Sequence, residues 1–102
     1  MSDTSYEKQG STLKVKPIGR LDLVSSPTME KELNEHMDGV QEIIMDFTDV
    51  EYISSGGLRV LLSAEQQLEK NGGKMTVVHA NDYILEVFEL VGFMDVVTVI
   101  RD

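Results

Sequence analysis

The sequence contains no cysteine and no tryptophan, only two prolines, and nine lysine and arginine residues against eighteen aspartate and glutamate residues. Without cysteine the chain has no disulfide, no thiolate metal site and no cysteine nucleophile. No apolar run approaches the roughly 18 residues that cross a bilayer. The first residues also lack the basic and apolar regions of a signal peptide. We therefore expect a cytoplasmic protein with no direct membrane insertion.

The net charge of −9 also limits the partners that the chain can bind. Binding to nucleic acid requires a basic face for the phosphates, and none is visible, so we expect no nucleic-acid partner. Anionic membrane surfaces are disfavoured for the same reason. An acidic domain suits a protein partner with a basic patch, although acidity is also a common route to solubility.

Strand and helix patterns alternate along the chain. Two short segments, 4–9 and 12–18, are separated by the turn signal Gly10-Ser11 and predict a β-hairpin. After the hairpin, the patterns predict a helix capped by Ser26 that ends at Gly39, a strand over 43–47 and a helix over 58–68. They then predict a strand over 75–80, a helix capped by Asn81 and a strand over 96–100. Short connections between strands and helices indicate right-handed crossovers. The sequence predicts a single α/β domain over residues 1–102, with an ordered core at about 4–100, a mostly parallel or mixed sheet, an N-terminal hairpin and three main helices.

The segment 50–58, with the sequence VEYISSGGL, lies between a predicted buried strand and an amphipathic helix. If Ser55 is the N-cap, its hydroxyl can accept a hydrogen bond from the first helical turn. Gly56 and Gly57 would then begin the helix without side chains to shield that turn. Each glycine inside a helix costs about 1 kcal/mol relative to alanine, so helix formation alone does not explain the pair. We infer that another molecule must approach Ser55 closely.

Ligands and partners of open parallel sheets meet the loops at the carboxyl ends of the strands. In the predicted fold these loops are 19–26, 46–57 and 79–82. The sequence therefore predicts that Ser55 lies at the same edge as Asp22, Asp46 and Asp49. Together with Glu51 these acidic residues could be imagined as a magnesium site, but solubilising and turn-forming roles are favoured, so we predict no metal.

Ser55 itself admits three interpretations: a plain N-cap, a phosphate acceptor or a nucleophile. A nucleophile needs a base within hydrogen-bond reach, and His36 and His79 are the only histidines. The segment 53–57 also lacks the G-x-S-x-G pattern of hydrolases. The glycine pairs match neither nucleotide-binding loop pattern, so no cofactor is expected. We predict no catalytic residue, while the cap and the phosphate acceptor both remain open.

The segment 46–58, with the sequence DFTDVEYISSGGL, resembles the signature of the STAS domain, the family of anti-sigma factor antagonists. Gly19-Arg20-Leu21-Asp22, followed by a short helix, is similar to the first conserved loop of that family. Gly92-Phe93 is similar to its C-terminal segment. The resemblance covers nearly all of the chain, and the order of strands and helices agrees with it.

The resemblance implies partner switching. In the family, the serine aligned with Ser55 is phosphorylated by an anti-sigma factor that is also an ATP-dependent serine kinase. The unphosphorylated antagonist binds that kinase and frees its sigma factor, the phosphorylated form releases it, and a phosphatase restores the first state. Asp22 and Asp46 match positions that shape the surface around the acceptor. The residues implied for partner binding are Asp22, Asp46, Thr48, Ser54, Ser55, Gly56, Gly57, Leu58 and Arg59.

One position departs from the family pattern, because Ser54 stands where the family often has aspartate. Ser54 thereby supplies an alternative phosphate acceptor beside Ser55. The departure also motivates a second functional hypothesis, a STAS binding subunit of a transporter or signalling complex that is never phosphorylated. Both hypotheses describe a binding protein without enzymatic activity.

Overall fold

A computed structural model describes residues 4–101 and gives the chain as alternating strands and helices. The elements are β1 (Ser5–Gln9), β2 (Thr12–Lys16), β3 (Ile18–Leu21), α1 (Ser26–His36), β4 (Glu42–Asp46), β5 (Asp49–Ile53), α2 (Ser55–Lys70), β6 (Lys74–Val78), α3 (Asp82–Leu90), a 3₁₀ turn (Phe93–Asp95) and β7 (Thr98–Ile100).

Five of these strands form the main sheet, in the order β1-β2-β4-β6-β7. β1 is antiparallel to β2, and the turn between them contains Gly10 at a positive φ of 62°. The other three pairs, β2 with β4, β4 with β6 and β6 with β7, are all parallel. The predicted hairpin, the three helices and the mostly parallel mixed sheet are therefore confirmed.

β3 and β5 form a second, two-stranded parallel sheet that the sequence pattern did not predict. Ile18 was assigned to the end of the predicted strand over 12–18, and the other residues of these two strands were assigned to loops. The register shifts between Gly19 and Arg20, and Val50 and Ile53 are both buried although they lie three residues apart. This irregularity breaks the two-residue alternation by which a short strand is recognised.

The core lies between the main sheet and the helices. α1 buries Met29 and Leu33, α2 buries Leu61 and Leu68, and α3 buries Ile84 and Phe88, as predicted. Strand residues complete the core, including Leu13, Val15, Ile43, Met45, Met75 and Val77. Two predicted core residues were wrong. Leu62 is 36% exposed because it lies beside the buried stripe of α2, and Val91 is 56% exposed because it follows the end of α3.

The helix starts agree with the prediction to within one residue. Asn81 caps α3, and its side-chain oxygen accepts a hydrogen bond of 2.9 Å from the Ile84 amide. α1 was predicted to have Ser26 as its N-cap, but the cap position is Ser25 and Ser26 is the first helical residue. The Ser25 hydroxyl contacts the preceding loop instead of the helix, which moves the helix start by one position.

Candidate functional site

The N-terminus of α2 presents Ser55 to solvent. Ser54, in extended conformation (φ −106°, ψ 180°), is the N-cap, and Ser55 is the first helical residue and is exposed. The Ser54 carbonyl accepts from the Leu58 amide at 3.0 Å, and its own amide donates to the Leu21 carbonyl at 2.9 Å. The prediction of Ser55 as N-cap was wrong by one residue, whereas its predicted exposure is confirmed.

Ser54 differs from its neighbour in its surroundings. Its Oγ atom is buried, and the atom has no hydrogen-bond partner among residues 4–101. It makes no capping hydrogen bond to α2. The amides of the first turn have no acceptor within the helix, so they remain donors that point out of the N-terminus of α2.

Gly56 and Gly57 are buried, and the reason for both glycines differs from the predicted one. A Cβ atom on Gly57 would lie 2.7 Å from the Leu21 carbonyl oxygen and 2.9 Å from Ile53 Cγ1. A Cβ atom on Gly56 would lie 2.9 Å from Leu23 Cδ2. The two glycines therefore allow the loop after β3 to pack against α2, and they do not serve to leave the first turn uncovered.

Side chains within the loop after β3 fix its conformation. One carboxylate oxygen of Asp22 accepts from the amides of Val24 and Ser25, each at 3.0 Å. The Ser25 hydroxyl accepts from the Asp22 amide at 3.1 Å and donates to the Arg20 carbonyl at 2.6 Å. The hydrogen bond from the Ser25 amide is the main cause that lowers the pKa of Asp22, and the Val24 amide and the Arg20 charge act in the same direction. The carboxylate is therefore held ionised next to Ser55.

The guanidinium group of Arg20 contacts both Asp22 and Tyr52. Its Nε atom lies 3.6 Å from Asp22 Oδ2, and its guanidinium carbon lies 4.3 Å from the centre of the Tyr52 ring. Tyr52 in turn stacks on Tyr83 of α3, with ring centres 5.8 Å apart. Sequence reasoning missed this stack, because its three side chains come from three separate elements.

Asp46 lies in a different environment, at the end of β4. Its carboxylate accepts from the Thr48 amide at 3.0 Å and from the Thr48 hydroxyl at 2.5 Å. Burial raises the pKa of the Asp46 carboxyl group. The hydrogen bonds from Thr48 and the charges of His79 and Lys16 together lower this pKa by more, so it lies below its ordinary value. Asp46 and Thr48 close the turn between β4 and β5.

β5 separates Asp46 and Thr48 from Ser55. Asp49 begins this strand, where it pairs with Lys16 at 3.6 Å, and Ser55 follows its other end. A five-residue strand is about 16 Å long. The prediction that Asp46 and Asp49 lie at the same edge as Ser55 was therefore wrong. Of the three acidic residues only Asp22, which directly follows β3, lies at the end of β5 that leads to Ser55.

Neither histidine is placed to act as a base for Ser55. The ring of His36 stacks on Tyr6 at 4.4 Å, and its Nδ1 atom lies 2.7 Å from the Glu32 carbonyl oxygen. His79 follows β6 and interacts with Asp46, at the other end of β5. Among residues 4–101 no three metal-ligating side chains come together, so the structure gives no support to a magnesium site. No helix in the same range has the length and apolar character needed to span a membrane.

A model of the STAS domain family matches residues 3–102. The chain belongs to the STAS domain family. This chain is 32% identical over 79 residues to BtrV of Bordetella bronchiseptica. The aligned region covers 76% of this chain and 68% of that protein. The chain is 28% identical over 92 residues to the anti-sigma-B factor antagonist of Staphylococcus aureus, with 89% of this chain and 85% of the relative covered.

The fold of the STAS domain also matches solved structures. The anti-sigma factor antagonist SpoIIAA in its unphosphorylated form superposes with a TM-score of 0.78 at 17% identity, over 97% of this chain and 88% of the other. The phosphorylated form of the Bacillus protein superposes with a TM-score of 0.75 at 18% identity, over 97% and 92% of the two chains. At these identities the match establishes the fold alone.

The structure of the STAS domain divides the nine predicted partner-binding residues into two groups. Asp22 and the segment 54–59 meet at the ends of β3 and β5, while Asp46 and Thr48 lie at the far end of β5. Within 54–59, Ser55 and Arg59 are exposed, Ser54 and Leu58 are partly buried, and the two glycines are buried. Leu23 and Ser25 belong to the same loop, but sequence reasoning did not include them among the site residues. A serine three residues after Asp22 is a turn signal, so the hydrogen bonds between these two residues could have been predicted.

Proposed function

We propose that this STAS domain, as one domain over residues 1–102, is an anti-sigma factor antagonist that binds an anti-sigma factor with serine kinase activity. Binding frees the sigma factor, and phosphorylation of Ser55 ends the binding. The observation that carries the proposal is the exposed Ser55 hydroxyl at the first position of α2, beside the fixed loop of Asp22. The relative from Staphylococcus aureus carries the name of an anti-sigma factor antagonist, and SpoIIAA exists in unphosphorylated and phosphorylated forms.

The difference between the two adjacent serines supports Ser55 as the acceptor. A kinase must bring the serine oxygen into line with the γ-phosphate of ATP, which requires an accessible hydroxyl. The Ser55 residue is exposed, whereas the Ser54 oxygen is buried. Phosphorylation of Ser54 would require the start of α2 to open, so we assign Ser55.

The position of Ser55 allows the fold to tolerate a phosphate. The modification adds about −1.5 to −2 charge at neutral pH. At the first position of α2 this charge meets the positive end of the helix dipole and amides that Ser54 does not cap. We therefore expect the phosphorylated domain to keep its structure.

A bound partner would experience the same phosphate differently. The group is bulky and strongly hydrated, and the ionised Asp22 adds negative charge nearby. Burying it without a cation at an interface costs about 2–5 kcal/mol, or roughly 30-fold to several-thousand-fold in affinity. The phosphate thus changes partner binding and leaves the scaffold intact.

The proposal includes a phosphatase that removes the phosphate and restores binding. It assigns no enzymatic activity to the chain itself, because neither histidine lies beside Ser55 and the serine acts as the substrate of another enzyme. The charge of −9 suits a partner with a basic surface, without nucleic acid, in the cytoplasm.

Binding and phosphorylation of serine variants test the proposal. Candidate anti-sigma factor kinases from the genome that encodes the chain are mixed with the wild type, Ser55→Ala, Ser55→Asp and the matched control Ser54→Ala. We expect Ser55→Ala to bind without becoming phosphorylated and Ser55→Asp to bind at least about 30-fold more weakly. Ser54→Ala should remain a substrate, with the phosphate located on Ser55 by mass spectrometry. Equal binding of Ser55→Ala and Ser55→Asp would contradict the switch.

A second candidate function is a STAS binding subunit of a transporter or signalling complex that is never phosphorylated. The Ser54 side chain favours it, because a buried hydroxyl without a capping bond replaces the aspartate that is usual at this position of the family. This second function would be favoured if no phosphate appeared after incubation with ATP and each kinase, and if Ser55→Asp bound its partner with the same affinity as the wild type.

A further inference from the structure

Two apolar side chains stand out of the loop after β3, beside the proposed switch. Leu23 is 72% exposed and Val24 is 86% exposed. We propose that Leu23 and Val24 form an apolar anchor that inserts into an apolar pocket on the anti-sigma factor kinase, with a basic side chain at the rim of that pocket that pairs with Asp22. This inference rests on the proposed function and names the contact by which the partner is bound.

The loop that carries the anchor is held by hydrogen bonds within itself in the absence of a partner. Asp22 accepts from the amides of Val24 and Ser25, and the Ser25 hydroxyl bridges the Asp22 amide and the Arg20 carbonyl. The Ser26 amide also donates to the Asp22 carbonyl at 2.9 Å. A loop that merely connects two elements does not need this many bonds to hold apolar side chains in water. A preformed loop avoids most of the ordering entropy that a flexible loop loses on binding.

The anchor is part of the same surface as Ser55. The Leu23 side chain lies over Gly56, so closely that a Cβ atom there would be 2.9 Å from Leu23 Cδ2 and 3.5 Å from Leu23 Cα. Gly56 directly follows Ser55. Because Leu23 contacts the residue that follows the acceptor serine, we place both groups in one interface.

Charge distinguishes between the molecules that could cover the anchor. The carboxylate of Asp22 at the base of the loop is ionised, and the whole chain carries a charge of −9. A second copy of this chain would bring like charges together, which disfavours self-association through this surface. A protein pocket that is apolar at its centre, with a basic side chain at its rim that pairs with Asp22, complements both features and leaves no free cation for a phosphate on Ser55. Burial of the exposed apolar area of the two side chains would then contribute to the binding free energy.

The anchor also gives the phosphate a direct physical effect. A phosphate on Ser55 holds a shell of water against the neighbouring Leu23 side chain. The wall of an apolar pocket must occupy that space when the partner binds. The modification therefore weakens binding by keeping the anchor hydrated, in addition to any charge repulsion.

The test compares two pairs of exposed apolar residues. Leu23→Ser/Val24→Ser removes the anchor, and Leu90→Ser/Val91→Ser removes a matched pair at the end of α3, where the side chains are 82% and 56% exposed. Affinity for the kinase that binds wild type and Ser55→Ala is measured by calorimetry. We expect about 100-fold weaker binding for the first variant and a change within about 2-fold for the second. Melting temperatures of both should lie within about 3 °C of wild type.

A combined variant sharpens the test. If the phosphate acts through the anchor, Ser55→Asp should weaken binding much less in the Leu23→Ser/Val24→Ser background than in wild type. If the double variant unfolds, Val24→Ser alone replaces it, because this side chain is the more exposed of the two, and about 10-fold weaker binding is expected.

The remaining outcomes separate the anchor from the proposed function. Wild-type affinity of Leu23→Ser/Val24→Ser, with binding still lost in Ser55→Asp, overturns the anchor and leaves the function standing. Equal weakening by both double variants also overturns it. If the wild type sediments as a dimer and only the anchor variant sediments as a monomer, the surface binds a second copy of the chain instead of the kinase. A wild type that binds no kinase overturns the function and the anchor together.

Discussion

Asp22 follows β3 and Asp46 ends β4, and each carboxylate accepts hydrogen bonds from groups two or three residues later in the chain. Asp22 orders a loop whose apolar side chains are exposed beside Ser55. Asp46 is 9% exposed and orders the turn between two strands, at the far end of β5. The same residue type in the same local bonding pattern therefore prepares a surface in one region and supports the scaffold in the other.

This comparison bears on how site residues are transferred from a family pattern. Both aspartates match family positions near the acceptor serine, yet only Asp22 is adjacent to Ser55 in this structure. We therefore expect substitutions in the Asp22 region to affect binding and substitutions in the Asp46 region to affect stability. The following predictions test that division in order of decreasing effect.

Gly57→Ala should cause the largest change, because it breaks the contact between the loop after β3 and α2. The new Cβ atom would meet the Leu21 carbonyl oxygen at 2.7 Å, and a backbone atom cannot rotate away. We expect the free energy of unfolding to fall by about 3 kcal/mol, measured by urea denaturation. Gly56→Ala is the matched control, since its Cβ atom meets the flexible end of Leu23 and the loss should stay within about 1 kcal/mol. Equal losses would contradict this explanation, because alanine is the better helix former at both positions and the contact with the Leu21 carbonyl oxygen distinguishes Gly57.

Asp46→Ala should lower the free energy of unfolding by about 2 kcal/mol, because two part-buried hydrogen bonds from Thr48 to a charged acceptor are lost. Affinity for the kinase should remain within about 2-fold of wild type. Asp49→Ala serves as the control, since its exposed pair with Lys16 contributes at most about 1 kcal/mol. A large loss of kinase affinity in Asp46→Ala, with little loss of stability, would contradict the division into two regions.

Asp22→Ala should show the opposite pattern, with about 10-fold weaker kinase binding and a melting temperature within about 3 °C of wild type. Its removal frees the amides of Val24 and Ser25, so the loop becomes flexible and must be ordered again on binding. Asp22→Asn keeps one acceptor oxygen without the charge, and we expect intermediate affinity. Calorimetry with the kinase, together with thermal unfolding, measures both quantities.

Acid should lower the free energy of unfolding, in part through the carboxylates of Asp22 and Asp46. We expect this to be the smallest of these effects. The pKa of each carboxylate is lowered in the folded state, and an unfolded aspartate has a pKa of about 3.9. Their stabilising contribution is therefore fully present above the unfolded pKa, and it is lost as the pH falls toward the lower folded pKa. Urea denaturation from pH 6 to pH 2 should show a weaker acid dependence in Asp46→Asn than in wild type. An unchanged dependence would mean that other carboxylates cause the acid sensitivity.

The local features of the site could be predicted from the sequence, because they depend on neighbouring residues. The exposed hydroxyl of Ser55 follows from a buried strand, a short polar segment and an amphipathic helix in succession. The cap of α3 at Asn81 and the turn at Gly10 follow from the conformational preferences of those residues. The resemblance to the family required the segment 46–58, the two short segments 19–22 and 92–93, and the order of the elements.

The sequence by itself determined the main parallel sheet, the helices and the exposure of Ser55, since hydrophobic periodicity and capping residues act over short distances. The tertiary structure decided which loops lie beside that serine. The pairing of β3 with β5 places Leu21 next to Ser54, buries Gly56 and Gly57, and moves Asp46 to the other end of a strand. These contacts join segments about 30 residues apart, and they depend on the break between β2 and β3 at Pro17 and on the shifted register at Gly19.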